Sequence, residues 1–135
     1  MRHLLAEEGL EGVIELDSAG TGGWHAGDPP DRRATAAARA RGIALDGAAR
    51  QVRPGDFEDF DLILAADREN LRDLRAIAPR GTEAKVRLLR EFDPSCEGAP
   101  DLDVPDPYYG GERGFEDVLD LVEAACRGLL DRVRP

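Results

Sequence analysis

The hydrophobic pattern of the chain alternates between two periodicities, one typical of strands and one typical of amphipathic helices. The predicted strands cover 13–17, 61–66 and 85–89. The predicted helices cover 2–8, 31–41, 68–77 and 112–133. Strands that alternate with helices indicate a parallel sheet with helices packed on its faces. We therefore predict one α/β domain over 1–135, without repeats or an internal domain boundary.

Polar or glycine-rich segments follow the predicted strands. A glycine-rich loop over 18–23 follows the first strand, Asp67 follows the second as a predicted N-cap, and a long loop over 91–111 follows the third. In an open parallel sheet, ligands collect beyond the carboxyl ends of the strands. Because all three segments leave those ends, we predict that they converge on one functional edge.

The long loop contains the most distinctive segment of the chain. Asp106 lies between Pro105 and Pro107, whose fixed backbone angles stiffen the loop, and Tyr108 and Tyr109 follow directly. A carboxylate held beside two rings suits a proton donor at the mouth of a pocket for a flat ligand. The alternative interpretation is a proline-rich surface turn with both rings packed on the domain.

Charge and cysteine content narrow the range of partners. The chain has 18 Lys and Arg against 28 Asp and Glu, a net charge of −10, which disfavours nucleic acids and anionic membranes as partners. No apolar run approaches the length of a membrane span, and the two cysteines do not form a disulfide framework. We therefore expect a cytoplasmic protein that binds neither nucleic acid nor membrane.

A nucleophile is hard to find in these 135 residues. The spacing Cys-x5-Arg, typical of cysteine-based phosphatases, occurs once, from Cys126 to Arg132. This match lies inside the last predicted helix, whose backbone N–H groups are committed to helical hydrogen bonds, so Cys126 is interpreted as a core residue. Cys96 has acidic neighbours, which would raise the pKa of a thiol, and it is interpreted as a loop residue.

Other candidate side chains give weaker signals. Trp24 is the only tryptophan, and its place after the glycine-rich loop favours a pocket wall over the core. Ser18 lacks the G-x-S-x-G context of a serine hydrolase. His3 and His25 have no carboxylate or cysteine partners at metal-ligand spacing, so no metal site is predicted.

Taken together, the motifs resemble those of the low-molecular-weight protein-tyrosine phosphatases, in order and spacing over nearly the whole chain. The matching segments are Asp17-Ser18-Ala19-Gly20-Thr21, Trp24-His25-Ala26-Gly27 with Asp31 and Arg32, Ala49-Arg50-Gln51-Val52, Phe60-Asp61-Leu62-Ile63-Leu64-Ala65-Ala66-Asp67 with Asn70-Leu71, Leu88-Leu89-Arg90-Glu91-Phe92-Asp93-Pro94, and Asp106-Pro107-Tyr108-Tyr109-Gly110. The last of these is the most specific.

The resemblance implies a flavodoxin-like, three-layer α/β/α domain with a parallel sheet, which acts without metal or cofactor on phosphotyrosine proteins or small aryl phosphates. It implies that Asp106 is the general acid and then the general base of a cysteinyl-phosphate mechanism. It also implies that Trp24, Tyr108 and Tyr109 grip the aromatic ring. Ser18 and Asp67 are expected to support the phosphate loop.

The chain departs from the family pattern in one respect. The family's first strand, with its nucleophilic Cys-x5-Arg loop, has no counterpart in the 135 residues, because residues 1–9 match the helix that follows this loop. In the family topology this strand lies between the strands predicted at 13–17 and 61–66. We therefore expect a domain incomplete at its N-terminus and inactive as written.

Four interpretations follow. The first is the larger part of a tyrosine phosphatase whose sequence begins at an internal methionine. The second is a truncated, non-catalytic paralogue that acts as a binding module. An arsenate reductase needs resolving cysteines close to the site, which neither Cys96 nor Cys126 provides. A phosphatase specific for phosphoarginine stays open as the fourth interpretation, because the loop residues that would distinguish it from a tyrosine phosphatase have no counterpart in this sequence.

Overall fold

A computed structural model describes residues 1–22, 26–45, 47–105 and 114–134 of the chain. The α-helices are α1 (Arg2–Glu8), α2 (Arg32–Ala40), α3 (Asp56–Asp59), α4 (Arg68–Ile77) and α5 (Gly114–Val133). The strands are β1 (Ile63–Ala65) and β2 (Val86–Leu88). Short 3₁₀ helices cover Glu83–Lys85, Leu89–Phe92 and Pro94–Cys96.

The two strands pair in parallel, with Ile63 opposite Val86 and Ala65 opposite Leu88. Helix α4 forms the crossover between them. It begins at Asp67, whose Oδ1 accepts a hydrogen bond from the backbone N–H of Asn70 at 2.8 Å. The prediction of a parallel α/β unit with Asp67 as an N-cap is confirmed, although both strands are shorter than the sequence predicts.

The prediction of a strand over 13–17 is wrong. Residues 11–14 form turns and 15–19 have no regular structure; the neighbouring residue Gly20 makes a single isolated parallel bridge with Gln51. A strand needs a hydrogen-bonded partner beside it, which this segment lacks within the described residues. The alternating apolar residues Ile14 and Leu16 are instead used for packing, against the cluster formed by α1 and α5.

Within the described residues, the core contains two apolar clusters. The first lies between the sheet, α3 and α4, and contains Phe57, Ala65, Leu74, Val86 and Leu88. The second lies between α1 and α5, and contains Leu4, Leu5, Cys126 and Leu130. The interpretation of Cys126 as a core residue is confirmed, since it is only 6% exposed and lies within α5.

The segments interpreted as connections contain structure that the sequence pattern did not predict. Helix α3 lies between the predicted helix over 31–41 and the predicted strand over 61–66, where no element was predicted, and it places Phe57 fully in the core. Cys96 was interpreted as a loop residue, but it lies in a 3₁₀ helix, where it is buried. Its Sγ lies 3.4 Å from Asp93 Oδ2, to which it donates, and 3.5 Å from Arg90 Nη2.

An ion-pair cluster joins α2 to α5. Arg41 follows α2 directly, and its Nη2 lies 2.8 Å from Glu116 Oε2 and 2.9 Å from Asp120 Oδ1. The same Nη2 also donates to the backbone carbonyl of Glu116 at 3.1 Å. Because both carboxylates belong to α5, one guanidinium fixes the end of α2 against the first turns of the long helix.

Helix α5 packs so closely on the Leu89–Phe92 turn that one of its residues must be glycine. A Cβ built at Gly128 would lie 1.8 Å from the carbonyl oxygen of Phe92 and 2.8 Å from its carbonyl carbon. Both atoms belong to the backbone, so neither can move without displacing the turn that follows β2.

We expect Gly128→Ala to lower the free energy of unfolding by about 3 kcal/mol or more, because the added methyl group forces α5 away from the turn. The measurement is urea denaturation followed by circular dichroism. Gly12→Ala is the matched control, since a Cβ there has nothing within 4 Å and the φ angle of Gly12 is not positive. Its effect should stay within about 0.5 kcal/mol. Equal effects of the two changes would contradict the close packing.

Candidate active site

A groove of about 350 Å³ lies next to β1. One wall is the irregular segment 15–21, and the opposite wall is formed by β1 with its flanking residues, 62–66. The remaining lining residues are Arg50, Val52, Asp56, Phe60, Asn70 and Leu74. The groove therefore runs along β1 and includes its carboxyl end, where a parallel α/β sheet is expected to bind its ligand.

Arg50 connects two carboxylates at the groove. Its Nη1 lies 2.9 Å from Asp56 Oδ2 and its Nη2 3.1 Å from Asp56 Oδ1, a bidentate pair. Its Nε and Nη2 also contact Asp17 Oδ2, at 3.2 Å and 3.1 Å. The side chain of Asp56 is only 8% exposed, and it accepts a further hydrogen bond from the backbone N–H of Arg53 at 2.8 Å.

These contacts shift the proton affinity of all three groups. The hydrogen bond from Arg50 lowers the pKa of Asp56 below its ordinary value of 3.8. The backbone N–H of Ser18, 2.8 Å from Asp17 Oδ1, is the main reason that the pKa of Asp17 is also lowered. In return, the hydrogen bond to Asp56 raises the pKa of Arg50. All three groups are therefore charged near neutral pH.

Backbone hydrogen bonds hold the same two segments together. The N–H of Gly20 donates to the carbonyl of Arg50 at 2.8 Å, and the N–H of Val52 donates to the carbonyl of Gly20 at 2.9 Å. On the other side, the N–H of Gly27 donates to the carbonyl of Ala49 at 2.6 Å. The segment around Arg50 thus lies between the loop after 17 and the loop before α2.

The chain that leads to the Asp106 segment is fixed at the same edge. The N–H of Val104 donates to the carbonyl of Ala66 at 2.8 Å, directly after β1. Asp103 Oδ1 accepts from the N–H of Arg68 at 3.0 Å, and its carbonyl accepts from Arg90 Nη1 at 2.7 Å. The described parts of the three segments that the sequence predicted to converge therefore meet at the carboxyl end of β1.

The structure describes two of the six predicted site residues. Ser18 lines the groove, whereas Asp67 caps α4 and its neighbour Asn70 lines the groove instead. The other four lie outside the described residues: Trp24, Asp106, Tyr108 and Tyr109.

Sequence reasoning missed the role of Arg50 and Asp56 as well as that of Asn70. The available signal was the match of Ala49-Arg50-Gln51-Val52 to the family pattern, but a motif match does not show which carboxylate an arginine will bind.

The described ranges give no sign of a metal centre or a membrane segment. No group of three or more His, Cys, Asp and Glu side chains in these ranges could hold a metal ion. None of the helices there combines the length and apolar character that crossing a bilayer requires.

Comparison with known proteins identifies the architecture. The family model described as "Low molecular weight phosphotyrosine protein phosphatase" matches residues 1–135. The chain belongs to this phosphatase family. A low-molecular-weight protein-tyrosine-phosphatase of Streptomyces coelicolor is 52% identical over 134 residues, which are 98% of this chain and 81% of that protein.

Solved structures of low-molecular-weight phosphatases superimpose closely on the chain. The tyrosine phosphatase of Entamoeba histolytica with Hepes in its active site matches with a TM-score of 0.90 at 33% identity, over 98% of this chain and 83% of that one. YfkJ of Bacillus subtilis matches with a TM-score of 0.87 at 42% identity, over 98% and 81%. The predicted family and the flavodoxin-like α/β fold are confirmed, and the family is one of hydrolases.

We expect Asp56→Asn to lower the free energy of unfolding by about 2 kcal/mol at pH 7, because it removes a bidentate ionic hydrogen bond from a mostly buried site. The folded-state pKa of Asp56 is lowered, so its contribution is fully present above the ordinary value of 3.8. The contribution is lost as the pH falls from there through the lowered pKa. Urea denaturation from pH 7 to pH 2 measures both effects.

The matched control for this prediction is Asp59→Asn, which changes an exposed carboxylate of the same short helix. Its effect should be within about 0.5 kcal/mol at every pH. A loss of stability on Asp56→Asn that stayed constant down to pH 2 would show that the carboxylate does not act through its charge.

Proposed function

We propose that this chain supplies the substrate-binding wall and the proton donor for hydrolysis of phosphotyrosine, in a cytoplasmic protein that acts on phosphotyrosine-containing proteins or small aryl phosphates. Family membership over residues 1–135 supports the reaction class. The observation that carries the proposal is the fixing of Asp103 and Val104 to the residues that follow β1. The proline-flanked Asp106 comes two residues later in the sequence.

Each aromatic or acidic residue has a separate role in this proposal. Asp106 protonates the phenolate oxygen as the bond from phosphorus to that oxygen breaks. It then takes a proton from the water that attacks the phosphorus of the cysteinyl-phosphate and releases inorganic phosphate. Trp24, Tyr108 and Tyr109 hold the aromatic ring, since paired rings favour flat apolar ligands.

Ser18 and Asp67 are proposed to support the phosphate-binding loop. Ser18 lines the groove, where its hydroxyl group can reach an anion or a loop placed there. Asp67 acts indirectly, because its carboxylate caps α4 and thereby positions Asn70 in the groove wall. Neither residue is proposed to react with the substrate.

Neither cysteine of the chain suits the role of nucleophile. A cysteine-based phosphatase needs a thiolate that the phosphorus can reach and a loop of free backbone N–H groups around it. Cys126 is buried within α5, where the backbone N–H groups bond to helix carbonyls. Cys96 is buried in a 3₁₀ helix, where its thiol donates to the carboxylate of Asp93 at 3.4 Å. The 135 residues therefore supply the acid but no attacking sulfur.

A second candidate function follows from the finding that neither cysteine suits the role of nucleophile. A chain that keeps Asp106, Tyr108 and Tyr109, but offers no reactive cysteine, could bind phosphotyrosine segments without cleaving them. The two candidates share the binding wall and differ only in turnover. They are therefore distinguished by an assay that measures hydrolysis.

We expect the 135-residue chain to hydrolyse no p-nitrophenyl phosphate above the rate in buffer, because the step that forms the cysteinyl-phosphate has no thiolate. The measurement is release of p-nitrophenolate, with the 52% identical Streptomyces coelicolor relative as the positive control. The variants Cys96→Ser and Cys126→Ser should give the same background rate. Turnover that disappeared in either variant would assign that cysteine as nucleophile, and turnover that survived both would overturn the thiolate mechanism.

A further inference from the structure

The chain reaches Asp106 through residues 100–105, which we name the approach segment. Of these, 101–105 have no regular secondary structure. Such a segment lacks the repeated hydrogen bonds of a helix or a strand, so its position depends on individual contacts with other elements. The described contacts come from three places: the residue after β1, the beginning of α4, and the turn after β2.

The end of β1 and the beginning of α4 hold the approach segment through both of its ends. Val104 donates its N–H to the carbonyl of Ala66, and Asp103 accepts the N–H of Arg68. The Nη2 of Arg68 also donates to the carbonyl of Pro100 at 2.5 Å. Because the side chain of Arg68 is exposed, water competes for this last contact.

Arg90 adds a contact from the turn after β2 that is better shielded from water. Its Nη1 donates to the carbonyl of Asp103 at 2.7 Å, the short distance of a charge-assisted hydrogen bond. Its Nη2 lies 3.5 Å from Cys96 Sγ, and the side chain is half-buried. Since α5 packs on this turn without space for a Cβ at Gly128, the base of the Arg90 side chain is fixed. The guanidinium therefore joins the approach segment to a rigid part of the core.

Two prolines transmit the position of Asp103 to Asp106. Pro105 and Pro107 each have a fixed φ angle, and each restricts the residue before it to extended conformations. The residues over 104–107 therefore have little rotational freedom. A displacement of the Asp103 carbonyl is passed on to Asp106 rather than absorbed on the way.

We propose that Arg90 is a positioning residue for the proton donor: by holding the Asp103 carbonyl, it fixes the place at which the chain leaves the sheet edge toward Asp106. This inference rests on the proposed function, in which Asp106 protonates the leaving phenolate. A general acid acts only within hydrogen-bond reach of the leaving oxygen, so a shift of about 1 Å already reduces its effect. Arg90 itself contacts no reacting group in this proposal.

The two tyrosines of the chain give a direct readout, because both follow Asp106. They are Tyr108 and Tyr109, so labelling with 3-fluorotyrosine gives fluorine NMR signals from this part of the chain alone. Arg90→Met removes the donors and keeps an unbranched apolar stem. We expect both signals to move toward their positions in the urea-unfolded chain. Exchange of the Val104 amide with deuterium should also become at least about tenfold faster, the factor that loss of a charge-assisted hydrogen bond predicts.

Arg87→Met is the matched control, because Arg87 stabilises the same turn through other partners. Its Nε lies 2.7 Å from Glu91 Oε2, and its guanidinium carbon lies 5.3 Å from the centre of the Phe92 ring. This variant should leave both tyrosine signals in place and change the exchange rate of the Val104 amide less than about twofold.

Both variants should fold, which urea denaturation followed by circular dichroism checks. Arg90 Nε is buried without a hydrogen-bond partner in the described part of the chain. Arg90→Met therefore also removes an unpaired buried donor, which offsets part of the loss of the two contacts of the guanidinium.

Equal changes of the tyrosine signals in the two variants would overturn the inference, because Arg90 would then act only through the stability of the turn. Tyrosine signals that coincide with those of the urea-unfolded chain before any substitution would overturn it as well.

Phenylphosphonate, a non-hydrolysable analogue of an aryl phosphate, separates this inference from the proposed function. Tyrosine signals that respond to Arg90→Met but not to phenylphosphonate would support the hold of Arg90 on the segment and contradict the proposed function alone. Signals that respond to phenylphosphonate but not to Arg90→Met would overturn the inference and leave the proposed function in place.

Discussion

The contact between Arg50 and the carboxylates of Asp17 and Asp56 holds the candidate site together. These residues are distant in sequence, and the groove wall over 15–21 has no strand ladder within the described residues to fix it. A planar guanidinium can bind one carboxylate with two parallel hydrogen bonds and still contact another, which lysine cannot do. Because Asp56 is nearly buried, its charge must be compensated, and Arg50 is its main ionic partner.

This contact explains how an irregular segment can form one wall of a site. The ionic contact at Asp17 and the bridge at Gly20 fix the segment near one end, while Ile14 and Leu16 pack on the cluster between α1 and α5 at the other. The segment is therefore extended and anchored without belonging to the described sheet. The groove lies between this anchored segment and β1.

Elements with strong local signals could be predicted from the sequence. Helix α4 was predicted with its correct bounds and its cap, because its apolar spacing and Asp67 are local features. The strand over 13–17 was not predicted correctly, because strand formation depends on a partner elsewhere in the chain. Helix α3 and the buried Cys96 were missed since their segments are too short to show a periodicity.

The site shows the same division between local and distant signals. The resemblance to phosphatases came from motifs, and the family assignment confirms it. The pairing of Arg50 with Asp17, 33 positions away in the sequence, depends on tertiary structure and could not be derived from spacing. The acid and the ring-binding residues are thus proposals that depend on sequence motifs.

Titration of the Asp56 carboxyl carbon by NMR tests the central interaction most directly. Our account predicts a midpoint below the ordinary pKa of 3.8 in the folded chain, and a midpoint that moves upward in Arg50→Gln, because the main cause of the lowered pKa is the hydrogen bond from Arg50. A midpoint at or above 3.8 that does not change in Arg50→Gln would contradict the account, since Arg50 would then not be the group that compensates the buried charge.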